Sequence, residues 1–293
     1  MLELSALAAI SVIVGVAWML VVRAVPHADP AERVSRRIGE RLGERRRVRM
    51  LLRERLDPET ATGLGLSLAL LAVAATGIVF GVFIVMIRQG SGVVNVDAAV
   101  TRWAAAQATS TSLTMAGWIT WAGSTIVIVA AALATAAFAV RRWSRWSPAL
   151  FLAVVVVGQF VLSNVVKAAV GRIRPDAPPF HVLSGPSFPS GHSTAAAATW
   201  GAIALVLGRG TPVRWRAALA GGAATLATAV ACSRVFLGAH WTSDAVGGLV
   251  LGWTWFAVCA VAFGGRILRL GRPAEPVAAP RQRPAARGRR TAA

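Results

Sequence analysis

The chain has 293 residues, 31 of them Lys or Arg and 12 Asp or Glu, for a formal net charge of +19. Only 15% of residues are charged and 56% are hydrophobic, with a mean hydropathy of +0.61, whereas soluble domains carry about 25% charged residues. That balance excludes an ordinary soluble globular protein. It also excludes disorder, which needs low hydrophobicity with high net charge, and a nucleic-acid-binding module would leave the long apolar runs unexplained. The expected class is an all-α integral membrane protein with its charges crowded into loops.

Seven apolar stretches approach the roughly 17–25 residues that cross a bilayer. The first, about Leu4–Val22 within segment 1–24, follows an uncharged Met-Leu-Glu-Leu start and precedes no small-residue cleavage site. It is therefore expected to be an uncleaved span rather than a signal peptide. Residues 25–60 form an Arg-rich linker. Its stretch Arg33–Arg55 suits either a surface amphipathic helix on anionic lipid or a solvated helical linker. The next two stretches are about Ala61–Ile87 and Leu113–Val140, separated by Val94–Ala106, which carries Asp97, Arg102 and Trp103 and resembles a short interfacial helix. Then come Ser147–Val166, Ser193–Gly208, Ala217–Ser233 and Ala245–Gly265. The fifth of the seven is short, and is adequate only if its helix starts near Pro189. Residues 266–293, rich in Pro, Ala and Arg from Gly271 on, are expected to be a disordered basic tail beside lipid headgroups rather than nucleic acid. Cys232 and Cys259 lie in apolar surroundings at no metal-ligand spacing, and are expected to be small buried hydrophobes. There is no internal repeat.

The arginines set a topology. The 25–60 linker with Arg23, the Arg141–Arg145 and Arg209–Arg216 loops and the tail after Gly265 alternate along the chain and hold 25 of the 31 basic residues. The positive-inside rule places those segments in the cytoplasm. The N-terminus is then outside, the C-terminus cytoplasmic, and the protein a multi-pass protein of the plasma membrane.

Few charges remain on the outer face, and most converge there. Lys167, the only lysine, ends the fourth span, and the chain continues through Arg172, Arg174 and Pro175. Pro189-Ser190-Gly191-His192 opens the fifth span, Ser233-Arg234 ends the sixth, and His240 and Asp244 open the seventh. Because spans alternate in direction, these pieces meet at one membrane face. Lys167, Arg174 and Arg234 supply three positive charges, two of them forked guanidiniums that match phosphate oxygens. A Ser-Gly helix start offers free N–H groups to an anion. His240 and Asp244, four apart, share a helical face, so the carboxylate can fix the imidazole tautomer for a nucleophile. His192 at the helix mouth suits a general acid. Arg172 is left open between phosphate ligand and solvent-facing residue. His181 and His27 are assigned to the surface and to the cytoplasmic side. Arg88 and Arg102 are expected to snorkel to headgroups.

KAAVGRIRP resembles a Lys-x6-Arg-Pro motif, Pro189 to His192 resembles Pro-Ser-Gly-His, and SRVFLGAHWTSD resembles Ser-Arg-x5-His-x3-Asp. Together they resemble the three-part signature of the type 2 phosphatidic acid phosphatase superfamily, which is shared with vanadium haloperoxidases and glucose-6-phosphatases. The resemblance covers about residues 61–265. It implies a six-transmembrane-helix phosphatase core, to which residues 1–24 add one N-terminal span, and metal-independent hydrolysis of a lipid phosphate or prenyl (di)phosphate through a phosphohistidine. It further implies His240 as nucleophile, Asp244 as its orienting partner and His192 as acid and base. Lys167, Arg174, Ser190, Gly191 and Arg234 would hold the phosphate. No cofactor and no metal are expected, since the cations supply the charge that Mg²⁺ supplies elsewhere. Seven spans speak against the soluble haloperoxidases. A lipid phosphotransferase using the same phosphohistidine is a second reading, and a non-catalytic transporter or scaffold a third. Phe180, His181 and Phe188 in the loop Asp176–Phe188 are the candidate specificity residues. The sequence leaves open the lipid, with undecaprenyl diphosphate and phosphatidic acid among those that suit the site, and the oligomeric state.

Overall fold

The computed structural model describes residues 9, 11–17, 19–20, 61–176 and 185–268. Among them every regular element is a helix: α1 Ala61–Gln89, α2 Val93–Ala106, α3 Ser110–Trp121, α4 Thr125–Trp143, α5 Ser147–Val170, α6 Gly191–Leu207, α7 Val213–Phe236 and α8 Thr242–Leu268. Among the described residues five segments are long and apolar enough to cross a bilayer: Leu70–Gln89 of α1, α4, α5, α7 and Thr242–Phe263 of α8. The chain is a multi-span membrane protein. The fifth expected span is α6, at 17 residues shorter than these five. The linker, including Arg33–Arg55, and the tail from Gly271 lie outside the described residues.

Local chemistry accounts for the boundaries. The expected continuous span over Leu113–Val140 is instead two helices, broken at Ala122–Ser124. The break follows from two residues: the Ser124 side chain caps α4 by accepting from the Val127 N–H, and Gly123 lies where a Cβ would meet the His192 carbonyl at 2.9 Å. α4 ends with Arg141 and Arg142 in its last turn and Ser144 in the left-handed conformation at φ 50°. Basic residues there complement the negative helix end. α5 starts with Pro148, whose missing N–H is an orphan at that position in any case. It ends at Gly171, whose φ of 63° and N–H bond to the Lys167 carbonyl close the last turn and release the chain.

α6 is the central helix, touched by α4, α5, α7 and α8, while α1 lies outside α8 and α3 against α7. Its sequence explains that position. Ser193, Thr194, Ala195 to Ala198, Thr199, Gly201 and Ala202 are small and buried. Hydrocarbon gives apolar helices little reason to leave lipid, so close backbone packing through small residues must hold them together. α8 matches α6 with Gly248 and Gly252: a Cβ at Gly248 would lie 2.6 Å from the Ser190 carbonyl oxygen, and one at Gly252 would overlap the Thr194 carbonyl oxygen. Further along, Phe151, Leu152 and Val155 of α5 pack with Ala198, Ala202, Ile203 and Val206 of α6 and Cys259 of α8. Ile78, Ile126 and Leu133, each about two-thirds exposed, belong to the lipid-facing surface. Within the described part of the first expected span, Gly15 is pressed on Gly221 of α7, with the Gly15 carbonyl oxygen 2.7 Å from a Gly221 Cβ. Cys232 and Cys259 are both free thiols.

Candidate active site

The ends of α5 and α7 and the starts of α6 and α8 meet, as helix parity requires. Ser190 caps α6 in an extended conformation, and its Oγ accepts from the Ser193 N–H at 3.4 Å and the Ser193 hydroxyl at 2.9 Å. That leaves its own O–H for another acceptor. The Ser190 N–H donates to the Asp244 carbonyl oxygen at 2.9 Å, joining the two helix starts. Beyond α7 the chain turns at Gly238, φ 67°, and the N–H groups of Ala239 and His240 both return to the Arg234 carbonyl oxygen at 3.1 and 3.3 Å. This folds His240 back over the end of α7. Asp244 stands in the first turn of α8, where a carboxylate is favoured. Its Oδ2 accepts the Trp241 N–H at 3.0 Å.

His240 is 2% exposed, and its two ring nitrogens face different chemistry. Nε2 lies 3.2 Å from Arg174 Nη1. A guanidinium can only donate, so Nε2 must carry the lone pair and Nδ1 the proton. Nδ1 faces Asp244 Oδ2 at 3.5 Å, an ion-pair distance that makes no hydrogen bond, so Nδ1 has no hydrogen-bond partner among the described residues. Burial pushes the imidazole down to about 4; the nearby Asp244 carboxylate pulls it up, and Arg234 and Arg174 push it further down. The ring is therefore neutral near pH 7.

The expected cations surround this ring. Arg174 Nη1 also donates to the Ala239 carbonyl oxygen at 2.8 Å, and Lys167 Nζ donates to the Pro186 carbonyl oxygen at 3.0 Å. Arg234 Nη1 donates to Thr120 Oγ1 of α3 at 3.2 Å, while its Nε is buried with no hydrogen-bond partner among the described residues. His192, half-buried at the mouth of α6, is within electrostatic range of Arg234, His240, Lys167 and Arg174. A Cβ on Gly191 would lie 3.9 Å from Lys167 Cε and 3.8 Å from Ser163 Oγ, itself buried and without a partner among the described residues. The structure thus brings together Lys167, Arg174, Ser190, Gly191, His192, Arg234, His240 and Asp244. An orphaned buried donor amid clustered cations is the chemistry of an anion site.

Three sequence expectations change. Arg172 neither faces solvent nor is free for phosphate: it is 8% exposed, and its two terminal nitrogens bond two carboxylates, Asp244 Oδ1 and Asp97 Oδ2, each at 2.7 Å. Asp97, placed with Arg102 on an interfacial helix, is fully buried on α2 and binds the start of α8. A carboxylate within an apolar stretch of a membrane protein is a general signal of function, one that the interfacial-helix reading of Asp97 did not use. Phe188 does not line a specificity pocket. It is fully buried, its ring 5.2 Å from Phe80 and 6.2 Å from Phe83. Phe180 and His181 lie outside the described residues.

Residues 148–267, which span α5 to α8, match the model of the PAP2 superfamily. The chain carries a PAP2 superfamily domain. The chain is similar to a lipid A 1-phosphatase of Rhizobium johnstonii, 37% identical over 44% of this chain and 53% of the relative. It is also similar to phosphatidylglycerophosphatase B of Bacillus subtilis, 38% identical over 31% of this chain and 46% of the relative. A decaprenylphosphoryl-5-phosphoribose phosphatase of Mycobacterium tuberculosis is 35% identical over 37% of this chain and 59% of the relative. The chain spans about half the length of the curated relatives it matches. Among solved structures, a transmembrane PAP2-type phosphatidylglycerolphosphate phosphatase from Bacillus subtilis superposes with a TM-score of 0.58 at 26% identity, covering 66% of this chain and 98% of that one.

Proposed function

We infer that this PAP2 protein is a membrane phosphatase. It releases phosphate from a lipid phosphate or prenyl (di)phosphate at the extracytoplasmic face of the plasma membrane, through a phosphohistidine on His240. The observation that carries this reading is the pairing of His240, with Arg174 3.2 Å from Nε2 and Asp244 beside Nδ1. A neutral ring with its lone pair beside a phosphate-binding guanidinium is a nucleophile already aimed.

Lys167, Arg174 and Arg234, with the Ser190 hydroxyl and the Gly191 N–H, hold the phosphoryl oxygens. The Nε2 lone pair attacks phosphorus while the bond to the lipid oxygen breaks, and His192 gives that oxygen its proton. The positive charge that develops on His240 is stabilised by Asp244. Water then attacks the phosphohistidine, His192 takes the water proton, and the electron pair of the broken P–N bond returns to Nε2. The outward orientation is supported by the 25 basic residues assigned to the opposite side. The relatives, each named as a phosphatase, support the substrate class.

Purified protein in detergent with EDTA, assayed for phosphate release from lipid A, phosphatidylglycerol phosphate, phosphatidic acid, undecaprenyl diphosphate and decaprenylphosphoryl phosphoribose, tests this directly. Release from at least one lipid, abolished by His240→Ala, is expected. Equal release by wild type and His240→Ala, or none from any lipid by folded wild type, contradicts it.

A further inference from the structure

Buried ionised groups are costly unless paired and hydrogen-bonded, yet α2, which lies against α1, α7 and α8, carries a carboxylate with no exposed surface. Asp97 Oδ1 accepts the Ser243 N–H at 2.8 Å, and Oδ2 accepts the Ser243 hydroxyl at 2.6 Å and Arg172 Nη2 at 2.7 Å. Arg172 Nη1 lies 2.6 Å from Ser243 Oγ and donates to Asp244 Oδ1 at 2.7 Å. One guanidinium is therefore forked across two carboxylates contributed by α2 and α8.

We propose that Asp97 is a positioning residue for His240, acting through Arg172 on the Asp244 carboxylate. The proposal rests on His240 being the nucleophile. The two oxygens of Asp244 have separate tasks: Oδ1 meets Arg172, and Oδ2 meets the Trp241 N–H and His240 Nδ1. Asp97 engages half of the fork and balances the arginine charge. Without it, the whole guanidinium charge falls on Asp244 and both terminal nitrogens turn to it, since a bidentate pair is the favoured geometry. Oδ2 is then drawn from Nδ1, where the contact at 3.5 Å has little slack. In a site of low dielectric, such a shift in hydrogen bonding and charge is felt strongly. Arg174, Arg234 and His192 also face His240, and none of them is hydrogen-bonded to Asp97, whose partners are Arg172 and Ser243.

The test uses the full chain in detergent and the phosphate-release assay. Asp97→Asn is compared with wild type, with Asp97→Asn/Arg172→Gln and with Arg102→Ala, a change on the exposed face of α2. Asp97→Asn is expected to lower kcat about ten-fold, the scale of losing an outer hydrogen-bond partner. KM should stay within about two-fold, because the phosphate-binding cations are intact. The double variant removes both charges, so it should turn over at least about three-fold faster than the single, as coupled residues do. Arg102→Ala should match wild type. A merely structural Asp97 would lower the amount of folded protein and leave its kcat alone. Either that result or a double variant no faster than the single overturns the proposal. If Asp97→Asn does not fold, Arg172→Lys carries the same readout, since a point charge cannot reproduce the fork; wild-type kcat in that variant overturns the proposal. Equal activity of wild type and His240→Ala marks failure of the nucleophile assignment instead, whatever Asp97 does.

Discussion

The backbone N–H of Ser190 donates to the backbone carbonyl oxygen of Asp244 at 2.9 Å, fastening the start of α6 to the first turn of α8. The two helix starts that bear His192 and Asp244 are thus set by one main-chain bond. It is reachable only because residue 248 is glycine: a Cβ there would stand 2.6 Å from the Ser190 carbonyl oxygen and 2.8 Å from Ser193 Cβ.

Gly248→Ala should therefore push the helices apart, at a cost of about 1–3 kcal/mol from overpacking. Thermal unfolding in detergent and the phosphate-release rate should both fall. Gly222→Ala on α7 is the control: a Cβ there meets nothing within 4 Å, and Ala favours helix over Gly. Equal stability of the two variants would show that the close approach of α8 to α6 does not matter.

His240 gives stability a pH dependence. Its ordinary value of 6.5 is pushed down to about 4, mainly by burial. The unfolded chain therefore binds the proton more readily, and the contribution is fully present above pH 6.5 and lost as pH falls toward 4. A shift of that size corresponds to roughly 3 kcal/mol. Wild type should lose more stability than His240→Gln between pH 7 and pH 4, measured by thermal unfolding. Parallel losses in the two proteins would contradict the buried neutral ring.

Catalysis should persist in EDTA. On the proposed reading Lys167, Arg174 and Arg234 supply the charge that meets the phosphate, while the Asp244 carboxylate is engaged by Arg172 and the Trp241 N–H and faces His240. Vanadate should inhibit, because its trigonal-bipyramidal form resembles the phosphoryl transition state. Activity lost in EDTA and restored by Mg²⁺ would contradict charge supply by the side chains.

Much of the site was legible because helix parity depends only on span order, so Lys167, His192, Arg234 and His240 could be placed at one face from apolar run lengths. Local pattern also placed a helix start near Pro189, whereas Arg141 and Arg142, read as loop, lie in the last turn of α4. The break at Ala122–Ser124 was hidden, because hydropathy registers an apolar run and not the contact of Gly123 with His192. Asp97 was missed for a related reason: its partners Arg172 and Ser243 are 75 and 146 positions away, so no local spacing links them. Arg172 stood two residues from a motif arginine, and only the fold distinguishes the one bound to two carboxylates from the one beside His240.

Orientation can be read from Ile173, which is 85% exposed between Arg172 and Arg174. Ile173→Cys, with Cys232 and Cys259 replaced by Ala, should react with a membrane-impermeant maleimide in intact cells. Labelling only after permeabilisation would place the site on the cytoplasmic face and confine it to inner-leaflet lipids.

The central claim is a phosphoryl group bound to His240. Its most direct measurement is rapid acid-free quenching of the protein with a ³²P-labelled lipid phosphate, followed by localisation of the label and its stability to alkali and acid. Wild type should carry an alkali-stable, acid-labile label on His240, and His240→Ala should carry none. A label retained by His240→Ala and lost in His192→Ala would reverse the two histidine roles and contradict the account.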